Sequence, residues 1–399
     1  MRKKYFFIIL VLTIMLLYIS NISQIPKKIV LLEGEEIKIK KLYGLNLSYT
    51  SDSKEVWKNQ VTENKKVDVK LLGNIKVKEV SVTVYPKVKV IPTGNLIGLK
   101  LYTNGVLVIG STEIITNDGQ AKKPYEHLDI KEGDTILEID KKEIDTSKTL
   151  QKIINESKGR TLEIKYASNG EIKTGNITPI KISEHEYKIG LWVRDSASGV
   201  GTMSFYDPTS KKFAALGHGI SDSDTGELLN IEKGEMVNSR IITITKGQKG
   251  FPGEIKGSIS KESSIGHVNQ NTNFGIFGNL VETPKTLEKY KDGIEIALRS
   301  DIQEGKATII STLENNKLEE FEIEITDIYQ ENNSDNKSMK LKITDERLLD
   351  KTGGIICGMS GSPIIQNDKI IGVLTNVLVS DPSVGYGVFS DIMIKEMIK

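Results

Sequence analysis

At 399 residues, 38% of them hydrophobic, the chain is long enough for two or three domains with ordinary cores, which excludes a disordered protein. Lys and Arg number 54 against 53 Asp and Glu, a formal charge of +1, so no bulk field draws the chain to nucleic acid. The single cysteine, Cys357, excludes an intrachain disulfide, and an exported form has to be stabilised by packing.

Arg2, Lys3 and Lys4 precede an apolar run from Tyr5 to Ile19, the layout of an export signal. No small-x-small cleavage site follows, so residues 1–26 are expected to form an export signal or, preferably, an uncleaved anchor that meets the membrane through residues 5–22. Residues 27–90 alternate polar and apolar, clearly at Glu36-Ile37-Lys38-Ile39-Lys40 and Val80-Ser81-Val82-Thr83-Val84, and predict a β-rich spacer. Residues 52–66 are expected to be a polar loop or short helix inside it.

From residue 91 to 184 the pattern changes. Ile97-Gly98-Leu99-Lys100-Leu101 predicts one strand, Asn104-Gly105 a turn, and Val106-Leu107-Val108-Ile109 a second strand. Leu128-Asp129-Ile130-Lys131-Glu132-Gly133-Asp134 leads into another, and Ser147 can cap a helix running to about Lys158, with Leu150, Ile153 and Ile154 on one face. This order resembles a PDZ domain. The resemblance implies a peptide added as a strand, its carboxylate held by backbone N–H groups of Gly98, Leu99, Lys100 and Leu101.

Residues 185–399 consist of many short β-like runs divided by Gly, Asn and Asp, the pattern of a β-barrel pair of the chymotrypsin type, and end in a short closing helix. Near the end stands Gly358-Met359-Ser360-Gly361-Ser362-Pro363. A serine between glycines at a sharp turn suits an acyl-transfer nucleophile, because small neighbours let a peptide carbonyl approach Oγ. If the N–H groups of Gly358 and Ser360 converge, they form an oxyanion hole.

A serine hydroxyl needs a base. Of four histidines, His127 lies in the PDZ-like region and His185 in a linker, leaving His218 and His267. His218 ends an apolar run of small residues, Phe213-Ala214-Ala215-Leu216-Gly217, and stands 142 residues before Ser360, so it is the expected base, with His267 as the alternative. Cys357 has no charged neighbour in its apolar run to favour a thiolate. No metal-ligand cluster, phosphate loop or dinucleotide fingerprint is present, and no metal or cofactor is expected.

The hexamer, the preceding Lys351-Thr352-Gly353-Gly354-Ile355 and the later Asp381-Pro382-Ser383-Val384-Gly385-Tyr386-Gly387-Val388 together resemble the stage IV sporulation protein B family of serine peptidases. The resemblance spans most of the chain. It implies Asp345, 15 residues before Ser360, as the triad acid or as a support of the nucleophile loop through Arg347; Asp292, Asp301 and Asp327 are rivals. Asn376 stands where the family commonly carries a histidine. The resemblance further implies a signalling peptidase of endospore-forming bacteria, exported from the forespore into the space between two membranes. Such a peptidase cleaves itself near the amino terminus and cleaves a regulator of an intramembrane protease, releasing a late sporulation sigma factor. The rival readings are a general quality-control peptidase, which carries its PDZ domain after the catalytic domain, and a PDZ adaptor with a vestigial peptidase fold.

Overall fold

A computed structural model describes residues 5, 25, 27–33, 47–50, 62–71 and 75–85, and from 87 to 398 all but 117, 260–262, 315–316 and 330–335. Among the described residues no helix is long and apolar enough to cross a membrane. The expected export signal or anchor lies outside the described residues apart from Tyr5 and Ile25, as do residues 34–46 and 51–61.

The chain divides into one unit of residues 1–89 with 295–301 and a second of 90–294 with 302–399. The first unit contains β1 (Lys28–Leu32), β2 (Leu47–Thr50), β3 (Thr62–Leu71) and β4 (Ile75–Tyr85), in sheet order β1-β4-β3-β2. The alternation that predicts β4 places Val80, Val82 and Val84 in the core beside Val67, Val69 and Leu31. Residues 62–66, expected in a loop or helix, instead begin β3. Lys66 is exposed there and pairs with Glu79 of β4.

β5 (Lys89–Ser111) leads into the second unit as one strand of 23 residues. The turn expected at Asn104-Gly105 is not formed. Gly105 has φ 88°, but the Asn104 N–H donates to Asn230 O and the Thr103 hydroxyl to Gly105 O, so the chain bends there without reversing. Beyond the bend, β5 pairs with β6 (Thr135–Ile139). There follow α1 (Ser147–Glu156), β7 (Leu162–Ser168) and β8 (Glu171–Ile177), in sheet order β5-β6-β7-β8. α1 is capped by Thr146, one residue earlier than expected, whose side chain accepts from Thr149 N–H; Leu150, Ile153 and Ile154 face the core as the spacing predicts. This PDZ-like module has its own core, from Val106 to Ile189.

β9 (Leu191–Tyr206) then runs back along β5, with Trp192 opposite Gly110 at the module end and Gly199 opposite Leu99 further on. Next come β10 (Lys212–Ala215), β11 (Ile231–Thr245), β12 (Glu254–Ile259), β13 (Gly266–Thr272) and β14 (Gly275–Leu280). The order β5-β9-β10-β14-β13-β11, with β11 pairing back onto β5, closes a first barrel of six strands. The PDZ-like module is therefore an insertion between two long strands of this barrel. The ring also determines the fate of Gly98, Leu99, Lys100 and Leu101. They lie inside β5, with Gly199 on one side of Leu99 and Met236 on the other. A strand paired on both edges has no free N–H row for a peptide carboxylate, and the expected peptide-binding loop is not there.

A second closed barrel follows. Its strands are β15 (Gly305–Thr312), β16 (Leu318–Ile328), β17 (Met339–Ile343), β18 (Pro363–Gln366), β19 (Lys369–Val377) and β20 (Val384–Phe389). Around the barrel the order is β15-β16-β17-β20-β19-β18. α2 (Glu346–Thr352) precedes the nucleophile loop, and the closing helix α3 (Ser390–Ile398) packs against β10 and β14 of the first barrel and β19 and β20 of the second.

Candidate active site

The loop from Gly353 to Pro363 is shaped by glycines at positions that other residues cannot occupy. Gly358 has φ 101° and Gly361 φ 106°; a Cβ on Gly361 would lie 1.9 Å from Thr202 O. Met359 and Ser362 are buried on either side, which leaves Ser360 part-exposed at the turn. Four consecutive carbonyls of this turn are held. Ile255 N–H donates to Cys357 O at 2.8 Å, the Thr202 hydroxyl to Gly358 O at 2.7 Å, Ser362 N–H to Met359 O at 3.0 Å and Thr202 N–H to Ser360 O at 3.1 Å.

In a trans peptide the N–H points opposite its carbonyl. Holding Cys357 O and Met359 O therefore fixes the N–H groups of Gly358 and Ser360. Met359 N–H and Gly361 N–H donate to Ile356 O and Leu374 O. Among the described residues no acceptor takes the N–H of Gly358 or Ser360. Two unspent donors, one on the serine itself and one two residues before it, are available to a developing oxyanion.

The Ser360 hydroxyl donates to Thr375 O at 2.6 Å. The same residue meets the histidine segment: a Cβ built on Gly217 would lie 2.8 Å from the Thr375 methyl. Thr375 thus lies between Ser360 and the backbone preceding His218, and no hydrogen bond joins Ser360 to His218. The His218 ring engages Gly219 O through Nδ1 at 2.8 Å. A carbonyl only accepts, so Nδ1 carries the proton and the Nε2 lone pair is left for a base. Asn271 braces the segment that follows, accepting from Ile220 N–H and donating to Ile220 O and Leu229 O. Arg194 of β9 pairs with Asp222 and Asp224 in the same loop. His267 is exposed on β13 opposite Glu235 and Asn279, and His127 is exposed with Nε2 against Asn176 O.

Asp345 lies elsewhere than at the imidazole. It caps α2: Oδ1 accepts from Arg347 N–H and Nε, and Oδ2 from Arg347 Nη2 at 2.7 Å and Glu322 N–H. These bonds hold the helix whose C-terminal Gly353 begins the nucleophile loop. No hydrogen bond joins the carboxylate to His218. Nor does one join His218 to Asp292 or Asp301, both exposed, or to Asp327, which pairs with Thr326 and Lys340.

The Arg347 guanidinium, against burial that acts the other way, holds the Asp345 carboxyl below its ordinary range. A group whose folded pKa is depressed contributes stability that is present above its ordinary pKa and lost as pH falls through the folded value. Asp345→Asn should therefore cost about 1 kcal/mol near neutral pH, chiefly through the lost charge on the bonds from Arg347, since asparagine caps a helix as well as aspartate does. Its melting temperature should converge on that of the wild type as pH falls below about 4. A constant gap across that range in thermal unfolding would contradict this role.

Cys357 has an exposed residue surface, but desolvation of its sulfur and the nearby Glu254 charge push its thiol upward, against thiolate chemistry. Asn376 is exposed near the end of β19. Among the described residues no cluster of His, Cys, Asp and Glu could hold a metal ion.

No curated protein matches the chain. Among solved structures, it is similar to the PDZ domain of an SdrC-like protein from Listeria monocytogenes, at 24% identity over 23% of this chain and 87% of that one, TM-score 0.19. It is also similar to the active form of the Rv3671c protease from M. tuberculosis, at 12% identity over 51% and 73%, TM-score 0.28. A third is the HtrA-type protease AlgW with a decapeptide, at 6% identity over 77% and 64%, TM-score 0.30. The match that decides the matter covers more than half of the chain: residues 185–394, from just before β9 into α3, fit the model of the SpoIVB peptidase S55 family, so the chain belongs to that family and is a serine peptidase.

Proposed function

We propose that Ser360 is the nucleophile, His218 its general base, and the N–H groups of Gly358 and Ser360 the oxyanion hole. The observation that carries this reading is the pair of unspent donors fixed beside Ser360. In the reaction, the hydroxyl leaves Thr375 O and turns to His218 Nε2. As Oγ bonds to the scissile carbonyl carbon, its proton passes to Nε2, and the negative charge on the carbonyl oxygen is received by the two N–H groups. His218 then gives that proton to the leaving amine, and water, activated by the same ring, releases the acyl group. Gly219 O orients the ring where a carboxylate usually would. Asp345 acts by holding α2 and the loop after it.

The protein substrates are, in this reading, the chain's own segment between residues 20 and 90 and a membrane-associated regulator of an intramembrane protease. Cleavage of the regulator signals activation of a late sporulation sigma factor. The site of action is the intermembrane space of the forespore, reached through an export signal or anchor in residues 1–26. The test is to incubate the purified full chain in vesicles with membranes of an endospore-forming cell and map new N-termini by mass spectrometry. Cuts confined to residues 20–90 of the chain and to one membrane-associated protein are expected. Cleavage of many unfolded proteins with no preferred target would favour a general quality-control peptidase and overturn the signalling reading.

A further inference from the structure

Thr202 is held in three directions at once. It is 2% exposed. Its hydroxyl donates to Gly358 O at 2.7 Å, its N–H to Ser360 O at 3.1 Å, and its own carbonyl accepts from Leu216 N–H at 3.1 Å, two residues before His218. Gly361 passes so close to Thr202 O that it has no room for a Cβ. One residue of β9 therefore touches both the turn that carries the nucleophile and the strand end that carries the base.

We propose that Thr202 is a positioning residue for the oxyanion turn, acting through its hydroxyl; this rests on the reading of Ser360 as nucleophile. Of the four carbonyls held along Cys357 to Ser360, three are held by backbone N–H groups, which no substitution other than proline removes. The Gly358 carbonyl alone is held by a side chain. It belongs to a peptide that begins at a glycine with φ 101°, held on its N–H side by the bond from Met359 to Ile356 O and on its carbonyl side by this hydroxyl alone. Without the hydroxyl, a part-buried carbonyl loses its partner, and the Gly358–Met359 peptide is held only by the bond from Met359 N–H to Ile356 O. That peptide joins the two oxyanion donors, one on each side, so its loosening strains the bonds to Cys357 O and Met359 O and disturbs the spacing of the donors. The consequence falls on the transition state, where the donors act, and not on the first encounter with a substrate. Thr202 touches no reacting atom.

The test uses the full chain and a fluorophosphonate probe, whose phosphonyl oxygen occupies the oxyanion position as Ser360 Oγ displaces fluoride. The labelling rate constant and the apparent affinity are measured separately, with thermal unfolding alongside. Thr202→Val keeps shape and removes the hydroxyl; Thr202→Ser and Thr202→Ala form a second pair that differs in the hydroxyl alone. The expected result is a labelling rate constant lower by about 10- to 100-fold in the Val and Ala variants, the scale of a small misplacement of catalytic groups, with affinity within about 3-fold and the Ser variant restored. If Val destabilises the fold, the Ser and Ala comparison decides at equal volume. Equal labelling by Ser and Ala variants, or a fall that tracks only the melting temperature, overturns the proposal. Labelling of Ser360→Ala at the wild-type rate would instead overturn the nucleophile assignment on which it stands.

Discussion

Replacing Ser360 with alanine is expected to abolish cleavage of the chain itself and of any protein substrate, while the melting temperature stays within about 2 °C, because a part-exposed hydroxyl with one backbone acceptor contributes little to stability. The expected loss is about 10⁴- to 10⁶-fold, since what remains after removal of a nucleophile is binding and oxyanion stabilisation alone. His218→Ala should be of similar severity, because nucleophile and base act as a unit and the loss of either disables both. The double variant should therefore be no worse than either single one. Rates of peptide release by mass spectrometry check this. An active His218→Ala paired with an inactive His267→Ala would move the base to β13.

The second large effect is expected at Gly361. Its φ of 106° is disfavoured for any L residue, and a Cβ there would lie 1.9 Å from Thr202 O and 2.8 Å from Leu216 N. Both obstacles are backbone, in a strand and at a strand end tied to each other by a hydrogen bond, so neither can move aside alone. Gly361→Ala should destabilise the protein by about 3 kcal/mol or more and abolish activity, since the strain adds to the clash. Gly119→Ala provides the comparison. Gly119 has φ 81° but nothing within 4 Å of a built Cβ, so only the backbone term applies, about 1–2 kcal/mol. Thermal unfolding of the two variants separates strain from collision. A Gly361→Ala protein as stable as Gly119→Ala would mean that the nucleophile turn is not packed against β9.

The amino-acid order makes much of this readable. Glycines around Ser360 announce a turn whose backbone takes φ values open to few other residues, and the alternation in β4 announces its buried valines. What stays hidden is pairing across long separations. Ile97 to Leu101 reads as a strand, and it is one, but no local signal says that Gly199 and Met236 flank Leu99 on its two sides. A PDZ-like pattern starting at that strand is therefore natural to draw and misplaces the peptide-binding loop. The same limit applies to Asp345. The family resemblance points to it as the triad acid although its closeness to Ser360 departs from the ordinary chymotrypsin layout, and its partner Arg347, two residues on, shows why a helix cap competes for the carboxylate. Thr202 escapes sequence reading altogether, since a threonine after Gly199-Val200-Gly201 looks like any strand residue. Only the approach of Gly358 and Ser360 from 156 and 158 residues away gives it meaning.

Labelling of the purified full chain with a fluorophosphonate probe, with the adduct located by tandem mass spectrometry, shows whether Ser360 is an activated nucleophile. One adduct is expected, on Ser360, absent from Ser360→Ala and slowed by orders of magnitude in His218→Ala. An adduct on another residue, or none in a folded wild-type protein that still cleaves its substrates, would contradict it.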